Sequence, residues 1–477
     1  MKPNILFFLI DGLRADKCYG DEKTSVTPHI DSLINNGVYF SQAICSAPVT
    51  SPSMSSIFTG SYPFESVVLD NGIFMMNLEV KNYIQYLKEL GYETHAIIPE
   101  ATSLWGLDKI FADSVEMYPY TKTVFNGNGK KILDTIQKND LKQPWFYYIH
   151  LYDLYVASVF DIDDGNSQEL HNQKYGNNKY ERILSAMDVW IGKILDNIDS
   201  KNTLIIFTSD HGTERGTYDS DLEDYAKYCQ NLRISWEPKT STKISNKILK
   251  KFPKFLKPMR SNISKAYSKR RNEIVENRIK PELEKIEKEK LRPYEKRRKK
   301  SAALITFETY DDRFKVPLCF YGYGVSSHHI ISEQVRSIDI FPTIFDMLNL
   351  KNFDNRGHSL FPSFFGKKLV ASTVLIESTS NSTKSMTSNS IGIRTPHYKY
   401  FRDRDDSTKN IHLYDLEIDP LEEKNIVNQF PKIVEKMENL LNEEKRQKSF
   451  AYKKSDDLNE DEVQIIEEEL KKLGYIN

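Results

Sequence analysis

A chain of 477 residues, 39% hydrophobic and carrying 27 Tyr and 25 Phe, can hold one large α/β domain with an appendage, or two to three average domains. Its 66 Lys/Arg nearly balance 67 Asp/Glu, which excludes a global attraction to polyanions and leaves any such binding to local patches. The four cysteines, Cys18, Cys45, Cys229 and Cys319, stand apart with no CxxC pair, a poor disulfide framework that fits a reducing compartment.

The first element is the apolar run Asn4–Ile10. It is too short to cross a bilayer and lacks a basic leader with a cleavage site, so it reads as a buried strand, and a cytoplasmic protein is expected. Helices are predicted at His29–Asn36 and Glu79–Leu90, a strand at Glu93–Ile98, a helix at Gly129–Lys138, a strand at Trp145–His150, a helix at Tyr180–Ile198 and a strand at Thr203–Thr208. Short apolar runs alternating with helical periodicity are the mark of βαβ units. The strands are unbroken apolar runs, which predicts a sheet covered on both faces. Ligands on such sheets gather beyond the carboxyl ends of strands, where Asp11, His150 and Asp210 stand.

Between Lys239 and Lys300 the composition changes to more than twenty Lys/Arg against seven Asp/Glu. Residues 217–301 are therefore read as a basic helical insertion within a catalytic α/β domain spanning 1–370. Strand texture resumes at Ala303–Phe307 and Lys315–Tyr321, and a helix with Pro342 near its start covers Ser337–Leu348. Residues 371–477 form a smaller unit, with strands at Ser372–Glu377, Ser390–Arg394 and Tyr398–Arg402 and helices at Lys432–Glu444 and Glu460–Leu473.

Reactive groups concentrate around Ala47-Pro48-Val49-Thr50-Ser51-Pro52-Ser53-Met54. The Thr50 hydroxyl, the Asp11 and Asp210 carboxylates and the His211 imidazole can share one divalent cation, and a hydroxyl bound to a cation is an activated nucleophile. Pro52 suits the first turn of a helix, whose N-terminus also stabilises anions. A nitrogen donor in the set favours Zn²⁺ or Mn²⁺, with Ca²⁺ or Mg²⁺ admissible.

Pro3-Asn4-Ile5 through Asp11-Gly12-Leu13-Arg14-Ala15-Asp16, Thr27–Asp31, Gly37–Phe40, Pro48–Gly60, Thr208–Gly212, Val316–Leu318, Ser337–Thr343, Gly357–Leu360, Leu413–Leu416 with Asp419-Pro420, and Leu473-Gly474-Tyr475 come in one particular order. That order resembles the sulfatase family of the alkaline phosphatase superfamily, through most of the chain outside the insertion. The resemblance implies a mixed, mostly parallel sheet sandwiched by helices, with a smaller C-terminal α+β subdomain. It also implies Thr50 in the catalytic position and Asp11, Thr50, Asp210 and His211 around one metal ion.

Three departures are informative. Sulfatases convert a Cys or Ser to formylglycine, whereas the branched Cβ of Thr50 could yield only a ketone. Met54 stands where the family signature has Arg, and Gly12 where calcium-binding members carry a second Asp. A threonine in this place resembles the phosphoryl-transferring branches of the superfamily, the nucleotide pyrophosphatases/phosphodiesterases, phosphoethanolamine transferases and lipoteichoic-acid synthases. It implies a hydrolase or transferase of phosphate (di)esters that forms a phospho-threonine intermediate. Asn71, His150 and Arg215 are the implied substrate contacts, and Tyr155 stands where sulfatases often have a second histidine. Two alternatives are a sulfuric ester hydrolase that dispenses with formylglycine and a catalytically inactive binding protein.

The expected substrate is a small-molecule, glycan or lipid-linked anionic ester. Apolar and cationic residues interleave at Lys247–Lys257, so the stretch 239–300 is a candidate for an anionic membrane surface, at ~1 kcal/mol per cation, or for a polyanion. Its other reading is a solvated helical hairpin laced by i,i+4 pairs, as around Glu284–Lys290. No specific nucleic-acid binding is predicted, and peripheral attachment to the membrane surface is the variant on a cytoplasmic location.

Overall fold

The computed structural model describes residues 2–70, 73–111, 113–138, 141–159, 168–213, 220–234, 277–303, 309–350, 354–378, 389–446 and 453–455. In chain order the strands are β1 (Asn4–Ile10), β2 (Val38–Ile44), β3 (Val67–Asp70), β4 (Ile73–Met76), β5 (Glu93–Pro99), β6 (Ser114–Tyr118), β7 (Trp145–Leu151) and β8 (Thr203–Thr208). There follow β9 (Lys315–Gly322), β10 (His329–Ile331), β11 (Val335–Arg336), β12 (Val374–Ser378), β13 (Ser390–Arg394), β14 (Tyr398–Asp403), β15 (His412–Asp415) and β16 (Lys453–Ser455).

The main sheet runs in the order β10-β2-β9-β8-β1-β7-β5-β6, with β11 beside β2. Every pairing is parallel except those of β9, which lies antiparallel between β2 and β8. All residues of β1, β7 and β8 are buried, as unbroken apolar strands demand of a doubly covered sheet. The period of two then sorts β1 side chains between the faces. Ile5, Phe7 and Leu9 join one core with Met54, Ile57 and Phe58, the helix Tyr83–Glu89 and the helix Ile340–Met347. Leu6, Phe8 and Ile10 join the other, against the helices Pro28–Asn36, Asn128–Gln137 and Lys179–Leu195.

Strands β12–β15 form a separate four-stranded antiparallel sheet. The helix Pro431–Arg446 packs on it, burying Met437 and Leu441 beside Leu375, Ile391 and Ile393. The expected strand and helix positions in 1–210 and 315–446 hold to within a few residues. The helix expected from Glu79 starts at Tyr83, because the Asn82 side chain caps Ile84 and Gln85 and Gln85 returns the bond. Strands β2, β6 and β10 and the β3–β4 hairpin were not foreseen. Ala303 ends the helix Pro293–Ala303, not a strand, and the rest of that expected strand lies outside the described residues.

Within the expected insertion, the described parts are the helix Ser220–Ile234, a helical stretch at 277–288 and the helix Pro293–Ala303. They share an apolar contact through Cys229, Ile279, Ile286 and Ala303. Lys296 pairs with Glu287, and Lys299 with Glu289 at 2.5 Å, so part of this basic charge is neutralised internally. Lys247–Lys257 and Glu460–Leu473 lie outside the described residues. Among those described, no helix is long and apolar enough to cross a membrane.

Candidate metal and nucleophile site

Three adjacent parallel strands deliver the polar groups to one end of the sheet. Asp11 follows β1, His150 is the penultimate residue of β7, and Asp210 and His211 follow β8. The Asp11 amide donates to the Leu151 carbonyl at 2.9 Å, extending the β1–β7 ladder into the loop. Gly12 has φ +71, a left-handed conformation that glycine adopts without penalty, and its amide donates to Asp210 Oδ1 at 3.3 Å. The loop therefore supplies one carboxylate, and a second Asp at position 12 would be strained.

Thr50 arrives from β2. The register of β2 against β9 shifts between Phe40 and Ala43, a bulge that redirects the strand. Its exit is pinned where Cys45 N donates to Phe314 O at 2.9 Å and Ser46 O accepts from Glu377 N at 3.0 Å. The helix Thr50–Thr59 follows with all ten residues buried. Its N-cap is Val49, so Thr50 sits inside the first turn with its hydroxyl turned to Asp11 and His211. Met54 packs into the apolar core, which accounts for the missing arginine.

The four groups singled out as metal ligands meet. Asp11, Asp210 and His211 present ligand atoms within 4.8 Å of one another. Thr50 Oγ1 donates to Asp11 Oδ2 at 3.1 Å and lies 3.2 Å from His211 Nε2. His211 Nε2 is 3.4 Å from Asp210 Oδ2. His211 Nδ1 is 2.8 Å from the Gly212 carbonyl, which can only accept, so a neutral imidazole carries its proton on Nδ1 and turns the Nε2 lone pair toward Thr50.

The site thus holds more acceptors than protons. Asp11 Oδ1 and Asp210 Oδ2 are buried and accept no hydrogen bond among the described residues. Burial and the neighbouring Asp210 charge push the Asp11 carboxyl well above its usual range. Two buried carboxylates cost several kcal/mol each unless a positive charge joins them. Oxygen donors, one imidazole nitrogen and orphaned lone pairs aimed at a common point are what a divalent cation satisfies, so the residues fit the expected metal.

His150 is fully buried, its Nε2 3.6 Å from Asp11 Oδ2 and its Nδ1 3.1 Å from the Tyr148 hydroxyl. Burial brings its pKa down to about 4, so it is neutral at pH 7. Asn71 and Arg215 lie outside the described residues. Tyr155 stacks on Tyr152 with ring centroids 4.8 Å apart, which makes its position an aromatic wall.

Two neighbouring features went unread in the sequence. Asp153, three residues past His150, is buried with its pKa raised from 3.8 to about 7 by that burial. Its Oδ1 accepts from Val124 N at 2.7 Å, while Oδ2 accepts nothing among the described residues. A folded-state pKa above the unfolded one means that stability is full below 3.8 and declines as pH rises through about 7. The total decline is about 4 kcal/mol at most. Asp153→Asn is therefore expected to gain stability over the parent as pH rises from 5 to 8.5 in denaturant titrations; parallel pH profiles would refute this. The second feature is the turn Asp311–Phe314, against which Gly212 lies so closely that a Cβ would stand 2.2 Å from the Asp312 carbonyl. An acidic pair just before an apolar strand was the available signal.

The Sulfatase family model matches residues 3–350, and the N-sulphoglucosamine sulphohydrolase C-terminal model matches 307–447. The chain is similar to an ulvan-active sulfatase of Formosa agariphila, at 27% identity over 236 residues, covering 44% of this chain and 45% of that protein. It is also similar to human steryl-sulfatase, at 32% over 108 residues, 20% of this chain and 18% of the relative. The matched region thus spans less than half the length of these curated relatives. Among solved structures, a 2-O GAG sulfatase superposes with a TM-score of 0.61 at 16% identity, covering 93% of this chain and 92% of that one. A protein solved with its substrate D-glucosamine-2-N,6-O-disulfate gives 0.59 at 16%, covering 94% and 98%. These likenesses bear out the fold. The phosphate-ester expectation gains nothing from these relatives, whose names concern sulfuric esters.

Proposed function

This chain belongs to the sulfatase family, and on that premise we propose that it hydrolyses a sulfuric ester of a small molecule or glycan through Thr50 Oγ1, beside one divalent cation. The observation that carries the reading is a single buried hydroxyl lying 3.1 Å from Asp11 and 3.2 Å from His211 at the start of a helix. Asp11, Asp210, His211 and Thr50 would hold the cation. When bound, it lowers the pKa of a hydroxyl and neutralises charge on ester oxygens.

The chain's own groups account for the remainder. The Thr50 proton is directed at Asp11 Oδ2, and the first turn of the helix adds its positive end to the site. Oγ1 forms a bond to sulfur as the S–O bond to the alcohol breaks. The alcohol leaves with that electron pair and takes a proton from water; the hydroxide so formed attacks sulfur, and the departing Thr50 Oγ1 recovers its proton from Asp11. His150, neutral at pH 7, adds no competing charge. The names of the relatives support sulfated glycans and small molecules as the substrate class.

A phosphoric ester is the second reading, and Thr50 itself favours it. Its branched Cβ has no route to formylglycine, and an unmodified hydroxyl returns readily from a phosphate ester by attack at phosphorus. The test is a panel of aryl sulfates, phosphomonoesters and phosphodiesters offered to protein loaded with Mn²⁺, Zn²⁺ or Ca²⁺. The highest kcat/KM is expected on a sulfate. A phosphate preference would install the second reading, and no turnover on any ester would remove both.

A further inference from the structure

The helix Pro293–Ala303 reaches the metal loops through the Asp312 carboxylate, which the Tyr294 hydroxyl and the Arg297 guanidinium both touch. Arg297, in the helix Pro293–Ala303, is buried although it carries a full charge. Its guanidinium donates to the Leu421 carbonyl at 3.2 Å, to the Glu422 carbonyl at 3.3 Å and to Asp312 Oδ2 at 3.2 Å, and lies 3.7 Å from the Tyr310 ring centre. The other oxygen of the same carboxylate, Asp312 Oδ1, takes Arg14 at 2.6 Å. Arg14 is three residues beyond Asp11.

The backbone of that turn holds the second loop. Gly212, next to His211, donates its amide to the Arg313 carbonyl at 2.8 Å and leaves no room for a side chain against Asp312. The following residue, Phe314, accepts from Cys45 N ahead of Thr50, and Asp311 pairs with Arg394 and Lys399 of the C-terminal sheet. One helical turn therefore touches both ligand-bearing loops and the nucleophile's strand, and Arg297 braces it from the insertion. Without Arg297, Asp312 would keep one cation of two, and the turn would lose its tie to Leu421 and Glu422. Packed loops transmit such a shift, because close-packed interiors have little slack.

We propose that Arg297 is a positioning residue that holds the Asp11 and Asp210-His211 loops at metal-binding separation by bracing Asp312. The proposal rests on the metal site of the preceding reading. Buried partners that orient ligands typically cost 10–100-fold in metal affinity when removed, and Arg297 acts one step further out, so a loss of about tenfold is expected.

The test is calorimetric titration of Mn²⁺ into the full, chelator-stripped chain, with backbone hydrogen exchange followed by mass spectrometry. Arg297→Met is expected to bind Mn²⁺ about tenfold more weakly and to exchange faster at 11–16 and 209–213, but not at 431–446. Lys299→Ala, which breaks an ion pair inside the insertion, should bind as the parent does. Parental affinity in Arg297→Met, or a uniform rise in exchange, would overturn the proposal. Should that variant fail to fold, Arg297→Lys keeps the charge but loses the fork; weaker binding supports the proposal and parental binding refutes it. A parent chain that binds no Mn²⁺ would instead bring down the metal site itself.

Discussion

Thr50→Ala is expected to lower turnover by about 10⁴-fold or more, with little change in folding or in bound metal. Removing a nucleophile from a catalytic unit typically costs that much or more, leaving only the residual effect of binding and electrostatics. The structural cost is small by comparison. Thr50 Oγ1 is a third neighbour to two groups, Asp11 and His211, that keep each other and Asp210, and a lost hydrogen bond of this kind is worth about 1 kcal/mol. Thr50→Ser retains the oxygen and sheds only a buried methyl, so it should keep activity within about tenfold while losing about 1 kcal/mol of packing. Steady-state kinetics on the best ester from the panel, with melting curves beside them, decides the matter. Alanine at parental rates would place the nucleophile elsewhere, and serine as inactive as alanine would mean that the oxygen is not what matters.

The second large effect is at Asp210. Asp210→Asn removes one of two buried carboxylates, and its affinity for Mn²⁺ or Zn²⁺ is expected to fall by about 100-fold or more. The same substitution should leave the metal-free protein more stable than the parent at pH 8. The reason is the raised pKa of Asp11, caused first by burial and then by the Asp210 charge. A group whose folded pKa lies above its unfolded one is fully stabilising below the unfolded value and loses that contribution as pH climbs through the folded one. In the metal-free parent Asp11 is held against burial and the Asp210 charge together; in the variant only burial remains. Adding Mn²⁺ at a hundred times its Kd should stabilise the parent by about 2.7 kcal/mol and the variant hardly at all. A variant that loses stability in the metal-free state, yet binds metal normally, would contradict the electrostatic account of the site.

Much of this arrangement was legible in the residues. The run Asn4–Ile10 betrays a doubly buried strand by the lack of alternation, and Thr203–Thr208 does likewise. Residues just past such runs are where parallel sheets put their chemistry, so Asp11 and Asp210-His211 could be paired across nearly two hundred positions. Thr50 was placed by the resemblance of its surroundings, but its orientation was not readable. Whether it capped a helix or faced the ligands depended on the β2 bulge and on Cys45 and Ser46 finding partners at Phe314 and Glu377, contacts of high sequence separation.

Strand β2 was missed because it mixes Ser41 and Gln42 into an apolar run, which blurs the period. The Asp311–Phe314 turn was missed for a different reason. Its carbonyls and the space that Gly212 leaves have no side-chain signature, and its acidic pair, the one visible signal, does not disclose the distant cations Arg14, Arg297, Arg394 and Lys399 that it meets. Residues 217–301 were read as an insertion from their charge, which alone pointed to partners outside the molecule. Arg297 shows that one of those cations is turned inward, where Asp312 and two carbonyls hold it.

The most direct measurement is anomalous diffraction at the manganese edge from crystals grown with Mn²⁺. One peak is expected, bounded by Asp11, Asp210 and His211 and within bonding distance of Thr50 Oγ1. A peak elsewhere, or an occupied site from which the threonine oxygen turns away, would contradict the account.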